Sequence, residues 1–401
     1  MKILFLTQLY PPLVYGGGEY IFSRWAEELA ARGHEVAVIT QKITGTLRFE
    51  ILNRVNIHRI GPTIQYGGAL YNIGLIQNFG FMINALSMAC RLAGKFDVIH
   101  SNTYTPTFAA EVASRLKRRP HLMTIHDVYN QTDKDFWRKW TTQQDIGTMA
   151  KYAGALVERM VLKLPSTMVH TVSQTSKRDL IAAGIAPEKI ALIPNGIDPA
   201  QYRSDRPKKR FQLAYIGRLV FYKNVDTVIK AFKAVCGRIP AARFFIAGTG
   251  PHEEYLKGLT STLGLNANVS FLGKITDQQK VDLLTESQFT VQPSLVEGFG
   301  ITVIESFCCA TPVISSNVMP LPELVMVHKT GTTLDPFDID AWEEALLTYL
   351  NDPDRCIKEG LSSKQIVKTK YTIEGVVDRL SELYSSLCHT KHGNLSLKNR
   401  E

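Results

Sequence analysis

The sequence predicts an α/β protein in which two doubly wound parallel sheets face a central cleft. A chain of 401 residues is comfortable for two domains. Short apolar runs bounded by loop residues, typical of buried parallel strands, alternate with amphipathic helices. This alternation begins again after the segment 194–210, whose three prolines indicate the junction between two halves.

The first half opens with the order strand, loop, helix and strand that begins a doubly wound sheet. KILFLT (2–7) is predicted as a buried strand, and YIFSRWAEELAAR (20–32) as a helix with its large apolar residues on one face. GHEVAVIT (33–40) supplies a glycine stop and the second strand. Further strands of this half are predicted over 96–102, 121–127 and 167–173.

The second half repeats the pattern with a helix over 226–235. Its strands are predicted over 211–219, 242–250, 269–273, 289–294 and 311–316. Ligands of such sheets bind beyond the carboxyl ends of the strands, so the cleft between the halves is the expected site.

Composition is that of a globular protein, with 45% hydrophobic and 21% charged residues. The net charge is +9, and residues 1–200 carry 22 Lys and Arg against 15 Asp and Glu. A basic first half suits an anionic surface or an acidic ligand, although a solvated surface has the same composition. Six cysteines form no C-x-x-C pair, which favours a reducing, cytoplasmic setting over a zinc or disulfide framework.

The stretch 61–90 contains no charged residue but has five glycines. A buried loop and helix is the preferred interpretation, and an apolar lip that touches lipid is the alternative. The second interpretation would make the protein peripheral on the inner, anionic face of a membrane.

The segment EGFGITVIE (297–305) carries the clearest chemistry, because two carboxylates flank a glycine turn. A helix is predicted to begin near Ile301, where its free N–H groups form an anion site. Glu297 and Glu305 would lie on the order of 10 Å apart, wider than the roughly 5 Å of a retaining glycosidase pair. One acid could therefore hold sugar hydroxyls and the other a ribose diol. The alternative is a surface loop with a helix-capping acid.

A second motif, IGRLVFYKN (216–224), places two cations after a strand end. Arg218 and Lys223 suit a diphosphate, since arginine binds as a fork and lysine as a point charge. An exposed salt-bridge pair is the alternative. The glycine turns YGGGE (15–19) and IAGTGP (246–251) allow backbone to approach an oxyanion, or are plain tight turns.

Polar residues also end two strands of the first half. His126 lies at the end of the strand 121–127 and is predicted to be functional, while His100 and Asn102 lie at the end of the strand 96–102. His100 is as compatible with a structural role as with a functional one.

Together and in order, these motifs resemble the retaining glycosyltransferases of family 4, whose GT-B architecture has two Rossmann-like domains. The resemblance covers nearly the whole chain, and the combination of E-x7-E with R-x4-K is highly specific. It implies catalytic roles for Glu297, His126, Arg218 and Lys223, with Glu297 at the donor sugar and Glu305 at the nucleotide ribose. The implied donor-binding residues are Gly17, Gly18, Arg218, Lys223, Lys274, Ile275, Glu297, Phe299, Gly300, Ile301, Thr302 and Glu305.

The resemblance implies retaining transfer of a hexose-type sugar from a UDP- or GDP-sugar to a hydroxyl acceptor, possibly lipid-linked, in glycolipid, cell-envelope or polysaccharide synthesis. The negative charge that develops on the leaving diphosphate meets Arg218, Lys223 and a helix N-terminus, so no metal and no other cofactor is expected. A non-catalytic relative that binds sugar nucleotides and a GT-B sugar-nucleotide epimerase are the alternatives. A nucleic-acid partner is not supported, because no basic stripe carries interleaved aromatics.

The acceptor side is expected to include His100, Asn102, Trp137 and Trp140, although the two tryptophans could equally belong to an ordinary amphipathic helix. Departures from the family pattern at Ala310, Thr311, Met319 and Pro320 bear on donor identity. The domains are expected to be 1–200 for the acceptor side and 201–372 for the donor. A final helix (373–388) crosses back to the first domain and a flexible tail (389–401) follows.

Overall fold

A computed structural model describes residues 1–14, 16–64, 75–102, 104–129 and 150–389. The chain forms two compact units. The first contains residues 1–195 and the final helix, and the second contains residues 196–372. Within the described residues, no helix combines the length and the apolar character that crossing a membrane requires.

The first unit is an eight-stranded sheet with the strand order β3-β4-β2-β1-β5-β6-β7-β8. Its elements are β1 (Lys2–Leu6), α1 (Gly17–Ala31), β2 (Glu35–Ile43), β3 (Phe49–Leu52), β4 (Val55–Ile64), α2 (Leu75–Leu92), β5 (Val98–Asn102), α3 (Tyr104–Lys117), β6 (His121–Thr124), α4 (Ala150–Leu162), β7 (Met168–Thr171), α5 (Gln174–Ala182) and β8 (Ile190–Leu192).

One edge of this sheet differs from the predicted parallel arrangement, because β3 pairs antiparallel with β4. The connecting turn has only two residues, Asn53 and Arg54, at φ values of 49° and 65°. Left-handed conformations at both central positions are those of a hairpin turn that matches strand twist. The sequence analysis did not predict this hairpin, because the turn lacks the glycine that usually marks one.

Side chains alternate between the two faces of the sheet, as strand geometry requires. Leu4, Leu6 and Ile99 pack with α2 and α3 on one face. Phe5 contacts Phe22 of α1 on the opposite face, with ring centroids 4.6 Å apart. His100 lies on this second face as well, 5.1 Å from the Phe5 ring.

The uncharged stretch 61–90 is described in two parts, the end of β4 and most of helix α2. One face of α2 buries Phe81, Ala85 and Ala89, which agrees with the buried-helix interpretation for this part of the stretch. The opposite face leaves Phe79 59% exposed and Ile83 51% exposed. Residues 65–74 lie outside the described chain.

The second unit is a six-stranded, fully parallel sheet with the order β11-β10-β9-β12-β13-β14. Its elements are β9 (Gln212–Ile216), α6 (Val225–Arg238), β10 (Arg243–Ala247), α7 (Glu253–Thr262), β11 (Val269–Gly273), α8 (Asp277–Glu286), β12 (Phe289–Gln292), α9 (Ile301–Cys308), β13 (Val313–Ser316), α10 (Leu321–Val325), β14 (Gly331–Leu334), α11 (Ile339–Asn351) and α12 (Pro353–Lys370). The sequence analysis missed β14, a short strand that no apolar run marks.

The final helix, α13 (Ile373–His389), belongs to the first unit. Asp378 accepts a hydrogen bond at 2.5 Å from Arg32, the C-cap residue of α1, and Arg379 donates to the Leu192 carbonyl at 2.9 Å. The tail predicted from residue 389 onward lies outside the described residues except for His389, which ends the helix.

Candidate functional site

The first predicted carboxylate, Glu297, lies in the loop between β12 and α9. Its Oε2 atom accepts three hydrogen bonds, from Lys223 Nζ at 2.6 Å, Gln292 Nε2 at 2.9 Å and Ser294 Oγ at 3.2 Å. Burial by itself would raise the pKa of this carboxyl, but the Lys223 ammonium and the three hydrogen bonds outweigh it and hold the pKa below its ordinary value. Glu297 is therefore ionised at neutral pH.

The second carboxylate, Glu305, lies in α9 with its side chain only 6% exposed. Its Oε1 atom accepts hydrogen bonds from Tyr202 Oη at 2.6 Å and Lys280 Nζ at 2.7 Å. Neither donor is close in sequence, since Tyr202 precedes β9 and Lys280 is on α8. Glu305 also lines a small pocket together with Ile216, Gln292 and Thr302.

In the part of the chain that the structure describes, each glutamate is held through one of its two oxygens. Within the described chain, neither Oε1 of Glu297 nor Oε2 of Glu305 accepts a hydrogen bond. Neither oxygen is one of the fully buried polar atoms that lack a hydrogen-bond partner within the described residues. An ionised carboxylate accepts through both oxygens, so each glutamate keeps one acceptor for a hydroxyl-bearing ligand.

Helix α9 begins between the two glutamates, at Ile301 as predicted. Gly300 is its N-cap, with φ at 94°. The backbone N–H groups of Ile301 and Thr302, at the first two positions of the helix, have no intrahelical acceptor and carry the positive end of the helix dipole. Phe299 is 6% exposed and its ring packs against Tyr371, so its side chain offers little surface to a ligand.

The two predicted cations lie in the loop that follows β9. Lys223 pairs with Glu297, with both side chains mostly buried, so the exposed salt-bridge alternative does not hold for it. Arg218 donates from Nη2 to the Tyr222 hydroxyl at 2.7 Å. The loop thus holds a guanidinium and an ammonium on the same sheet edge as Glu297.

The glycine turn at 248–250 supports this loop by close backbone packing. A Cβ on Gly248 would lie 1.9 Å from the Gly217 carbonyl oxygen, and Leu219 donates to the Thr249 carbonyl at 3.0 Å. This contact agrees with the tight-turn interpretation of IAGTGP. The glycines allow the backbone of the turn to pack directly against the loop that contains Arg218.

The predicted base-contacting residues follow β11. Lys274 is exposed, and Ile275 is half-buried against an apolar group that includes Ile216 and Leu283. Their contact with a base stays a prediction.

In the first unit, the predicted glycines and His126 meet at the start of α1. Gly17 and Gly18 form the first turn of the helix, which starts earlier than predicted, with Gly16 as the N-cap. The His126 ring lies so close that a Cβ on Gly18 would be 3.0 Å from its Cδ2 atom. Burial lowers the pKa of His126 to about 4, so the imidazole is neutral at physiological pH.

Asn102 completes this group. Its Oδ1 atom lies 3.1 Å from His126 Nε2, and its Nδ2 atom is buried without a partner within the described chain. A neutral imidazole, an amide and a helix N-terminus are suited to hydroxyl and phosphate groups.

His100 has a different environment from the one expected at an acceptor site. It is fully buried, and its two ring nitrogens lie 2.6 Å from Tyr384 Oη and 2.6 Å from Thr124 Oγ1. With both nitrogens engaged inside the first unit, the placement supports the structural interpretation rather than contact with an acceptor. Trp137 and Trp140 lie outside the described residues.

Gly18→Ala is expected to lower kcat/KM for sugar transfer by about 10- to 100-fold, because the new methyl group displaces His126. The matched control is Gly258→Ala in α7, where a Cβ meets nothing within 4 Å. The control should keep its activity and gain up to about 1 kcal/mol of stability, the usual advantage of alanine in a helix. Unchanged kinetics in Gly18→Ala would show that His126 can move without consequence.

The sequence analysis missed the residues that hold the two glutamates. Gln292 ends β12 and Ser294 follows two residues later, and polar residues at a strand end were a usable signal. Gln292 also accepts from Thr302 Oγ1 at 3.3 Å, which links Glu297 to the start of α9. Tyr202 and Lys280 carry no such signal, since a tyrosine after a loop and a lysine on a polar helix are ordinary.

Across the described parts of the chain, no group of three or more His, Cys, Asp or Glu side chains is arranged to hold a metal ion. Metal independence stays a prediction.

Two family models match the chain, Glycosyltransferase Family 4 over residues 15–201 and Glycosyl transferases group 1 over residues 198–364. Together they span both units, and the chain belongs to glycosyltransferase family 4. It is a glycosyltransferase with the GT-B fold.

Similar proteins agree with this assignment. An uncharacterized glycosyltransferase of Methanocaldococcus jannaschii is 27% identical over 361 residues, covering 85% of this chain and 87% of its own. A glycogen synthase of Mycobacterium tuberculosis is 24% identical over 408 residues, covering 96% and 94%.

Solved structures share the fold. The sucrose-phosphate synthase from Thermosynechococcus elongatus has a TM-score of 0.80 at 20% identity, covering 97% of this chain and 99% of its own. Anabaena HepE, solved in complex with UDP-glucose, has a TM-score of 0.74 at 20% identity, covering 96% and 100%.

Proposed function

We propose that this glycosyltransferase moves a hexose-type sugar from a UDP- or GDP-sugar to a hydroxyl acceptor, with retention of configuration and without a metal. The acceptor belongs to glycolipid, cell-envelope or polysaccharide synthesis. UDP-sugars are the first donors to test, because the structure of HepE contains UDP-glucose.

This proposal rests on one observation. Two glutamates lie on either side of a helix N-terminus, and one carboxylate oxygen of each accepts no hydrogen bond from the described chain. Glu305 offers Oε2 to the ribose hydroxyls and Glu297 offers Oε1 to the sugar, while the Ile301 and Thr302 N–H groups receive phosphate oxygens. A nucleotide-sugar presents its diol, phosphates and sugar hydroxyls in this order.

The proposed chemistry follows from the charges. Cleaving the anomeric C–O bond places negative charge on the diphosphate and positive character on the sugar carbon. The negative charge on the diphosphate is stabilised by Arg218, Lys223 and the α9 N-terminus. The positive character of the sugar carbon is stabilised by the ionised Glu297. Because these charges are already in place, little reorganisation is needed when the bond breaks.

The first unit contributes a second anion site and a neutral histidine. The N–H groups at Gly17 and Gly18 suit a phosphate oxygen, and neutral His126 suits a sugar hydroxyl. Both roles rest on family resemblance and on the geometry within this unit.

A thermal-shift panel with UDP, GDP, ADP and their sugars tests the donor proposal. One nucleotide class at ~100 times its Kd is expected to raise the melting temperature by about 5 °C or more. Glu305→Gln should lose most of this shift, because a carboxylate acceptor is lost.

The matched control is Glu359→Gln in α12, which removes a carboxylate that pairs with Tyr349 of α11 and Arg355 of α12. It should keep the nucleotide shift. No shift with any nucleotide, from a folded protein, would contradict the proposal and favour a non-catalytic relative. Conversion of the donor sugar without an acceptor would favour the epimerase.

A further inference from the structure

The surroundings of Glu305 point to a function for two residues that family resemblance does not assign. Three separate segments converge on this carboxylate: α9 carries Glu305, α8 carries Lys280, and the turn Pro199–Gln201 precedes Tyr202. Lys280 Nζ also lies 5.6 Å from the centre of the Tyr202 ring, so the three side chains form one compact group.

Both donors reach the same oxygen. Tyr202 Oη lies 2.6 Å and Lys280 Nζ 2.7 Å from Oε1, and the carboxylate group is almost fully buried. Two bonds from different directions fix the position and the plane of the carboxylate. Oε2 accepts no hydrogen bond from the described chain, so its direction is set by the bonds to its neighbour.

This arrangement differs from one that only neutralises a buried charge. A lysine that merely compensates the charge could lie at either oxygen or between the two. Concentrating both donors on Oε1 leaves Oε2 with its lone pairs uncommitted and Glu305 on the wall of the pocket shared with Gln292 and Thr302.

We propose that Lys280 and Tyr202 are positioning residues that orient Glu305 so that Oε2 accepts the ribose hydroxyls of the donor, which makes the enzyme select ribonucleotides over deoxyribonucleotides. This inference rests on the proposed function, because it requires a nucleotide at Glu305. Lys280 and Tyr202 themselves do not contact the ribose. Their removal therefore weakens only the part of binding that depends on its hydroxyls.

Calorimetric titration of the full chain with UDP, 2′-deoxy-UDP and 3′-deoxy-UDP tests this selection. Wild type is expected to bind UDP on the order of 10- to 100-fold more tightly than the weaker deoxy form, since a hydrogen bond to a charged group is lost. In Lys280→Met and Tyr202→Phe, the ratio of the Kd for the weaker deoxy form to the Kd for UDP should fall towards one. The affinity for that deoxy form should change little. Lys280→Arg should recover part of the ratio.

The matched control is Tyr349→Phe, which removes a tyrosine–glutamate hydrogen bond of 2.7 Å, to Glu359, elsewhere in the second unit. Its ratio should equal that of wild type. If the variants weaken UDP and both deoxy forms equally, or retain the wild-type ratio, the positioning role is wrong although nucleotide binding stands. If wild type binds UDP and no ribose selectivity is seen, Glu305 does not read the ribose. If wild type binds none of these nucleotides, the GDP and ADP series is titrated in the same way, and no binding there overturns both proposals.

Discussion

Lys223→Met is expected to lower kcat for sugar transfer by about 10²- to 10³-fold, the loss typical of removing one preorganised electrostatic contact. Lys223 is one of three donors to Glu297 Oε2 and is proposed to stabilise the leaving diphosphate. Its removal takes away a positive charge where negative charge develops. Initial rates of nucleotide release with saturating donor measure this effect.

The same substitution should also destabilise the second unit. Breaking a buried ion pair by removing one partner costs about 3–5 kcal/mol, and less where other hydrogen bonds to the remaining charge persist, as those from Gln292 and Ser294 do here. Urea unfolding followed by circular dichroism measures the loss.

A double variant separates the two effects. Lys223→Met with Glu297→Gln removes both charges, so the urea midpoint should recover most of its wild-type value while kcat stays low. Lys230→Met is the matched control, because it breaks a more exposed pair with Asp226 of 2.7 Å that is worth about 0.3–0.5 kcal/mol. Recovery of kcat in the double variant would contradict the proposed roles of both Lys223 and Glu297 in sugar transfer.

The second large effect is a loss of stability of the first unit in mild acid, from about pH 6.5 downward. Its origin is three buried histidines that the fold holds neutral, His126, His100 and His170, of which the last two belong to one chain of hydrogen bonds. The Ile193 carbonyl only accepts, so His170 Nε2, 2.9 Å away, carries a proton and donates to it. Thr124 Oγ1, 2.9 Å from His170 Nδ1, then donates to that nitrogen.

The chain continues in the same direction to the final helix. With its own proton directed to His170, Thr124 Oγ1 accepts from His100 Nε2 at 2.6 Å, and His100 Nδ1 accepts from the Tyr384 hydroxyl at 2.6 Å. Each neutral ring donates at one nitrogen and accepts at the other. Protonating either ring would turn an accepting nitrogen into a donor and break a bond.

Burial lowers the pKa of His170 to about 3 and that of His126 to about 4, and it holds the pKa of His100 well below its ordinary value. The unfolded chain, with histidine pKa values near ~6.5, therefore binds more protons than the folded chain as pH falls. Above about pH 6.5 these histidines do not reduce the free energy of unfolding of the first unit. At pH 5 each of them reduces it by about 2 kcal/mol.

Urea midpoints of the first-unit transition at pH 5, 6, 7 and 8 measure this dependence. His170→Gln should be less stable at pH 7 but show a shallower decline between pH 6.5 and 5, because one titrating group is gone. His389→Gln, which removes an exposed histidine at the end of α13, should decline like wild type. Equal midpoints from pH 5 to pH 8 would rule out neutral buried histidines.

Sequence reasoning was most successful where local signals and chain geometry coincide. Glycines between Glu297 and Ile301 mark a strand end and a helix start, and α9 begins at the expected residue. It was less successful where a conformation lacks its usual marker. The Asn53–Arg54 turn has left-handed backbone without glycine, and α1 starts within the glycines that indicated a loop.

His100 shows why position along a strand is not enough. It lies two residues before the end of β5, and strand alternation turns its side chain towards α1 and α13. Its partner Tyr384 is 284 residues away in the chain. No local pattern could show that both ring nitrogens would be occupied.

The sequence by itself determined the class of this protein: two α/β halves, the spacing of Glu297 and Glu305, and the cations that precede them. These features depend on apolar periodicity, on glycine and on the chemistry of residues near one another in the chain. Only the tertiary structure decided which oxygen of each glutamate is engaged, and by which donors. Lys223 lies 74 residues from Glu297 and Tyr202 lies 103 residues from Glu305. Parallel strands bring such distant residues to one sheet edge, and a buried carboxylate is stable only where the fold brings donors to it.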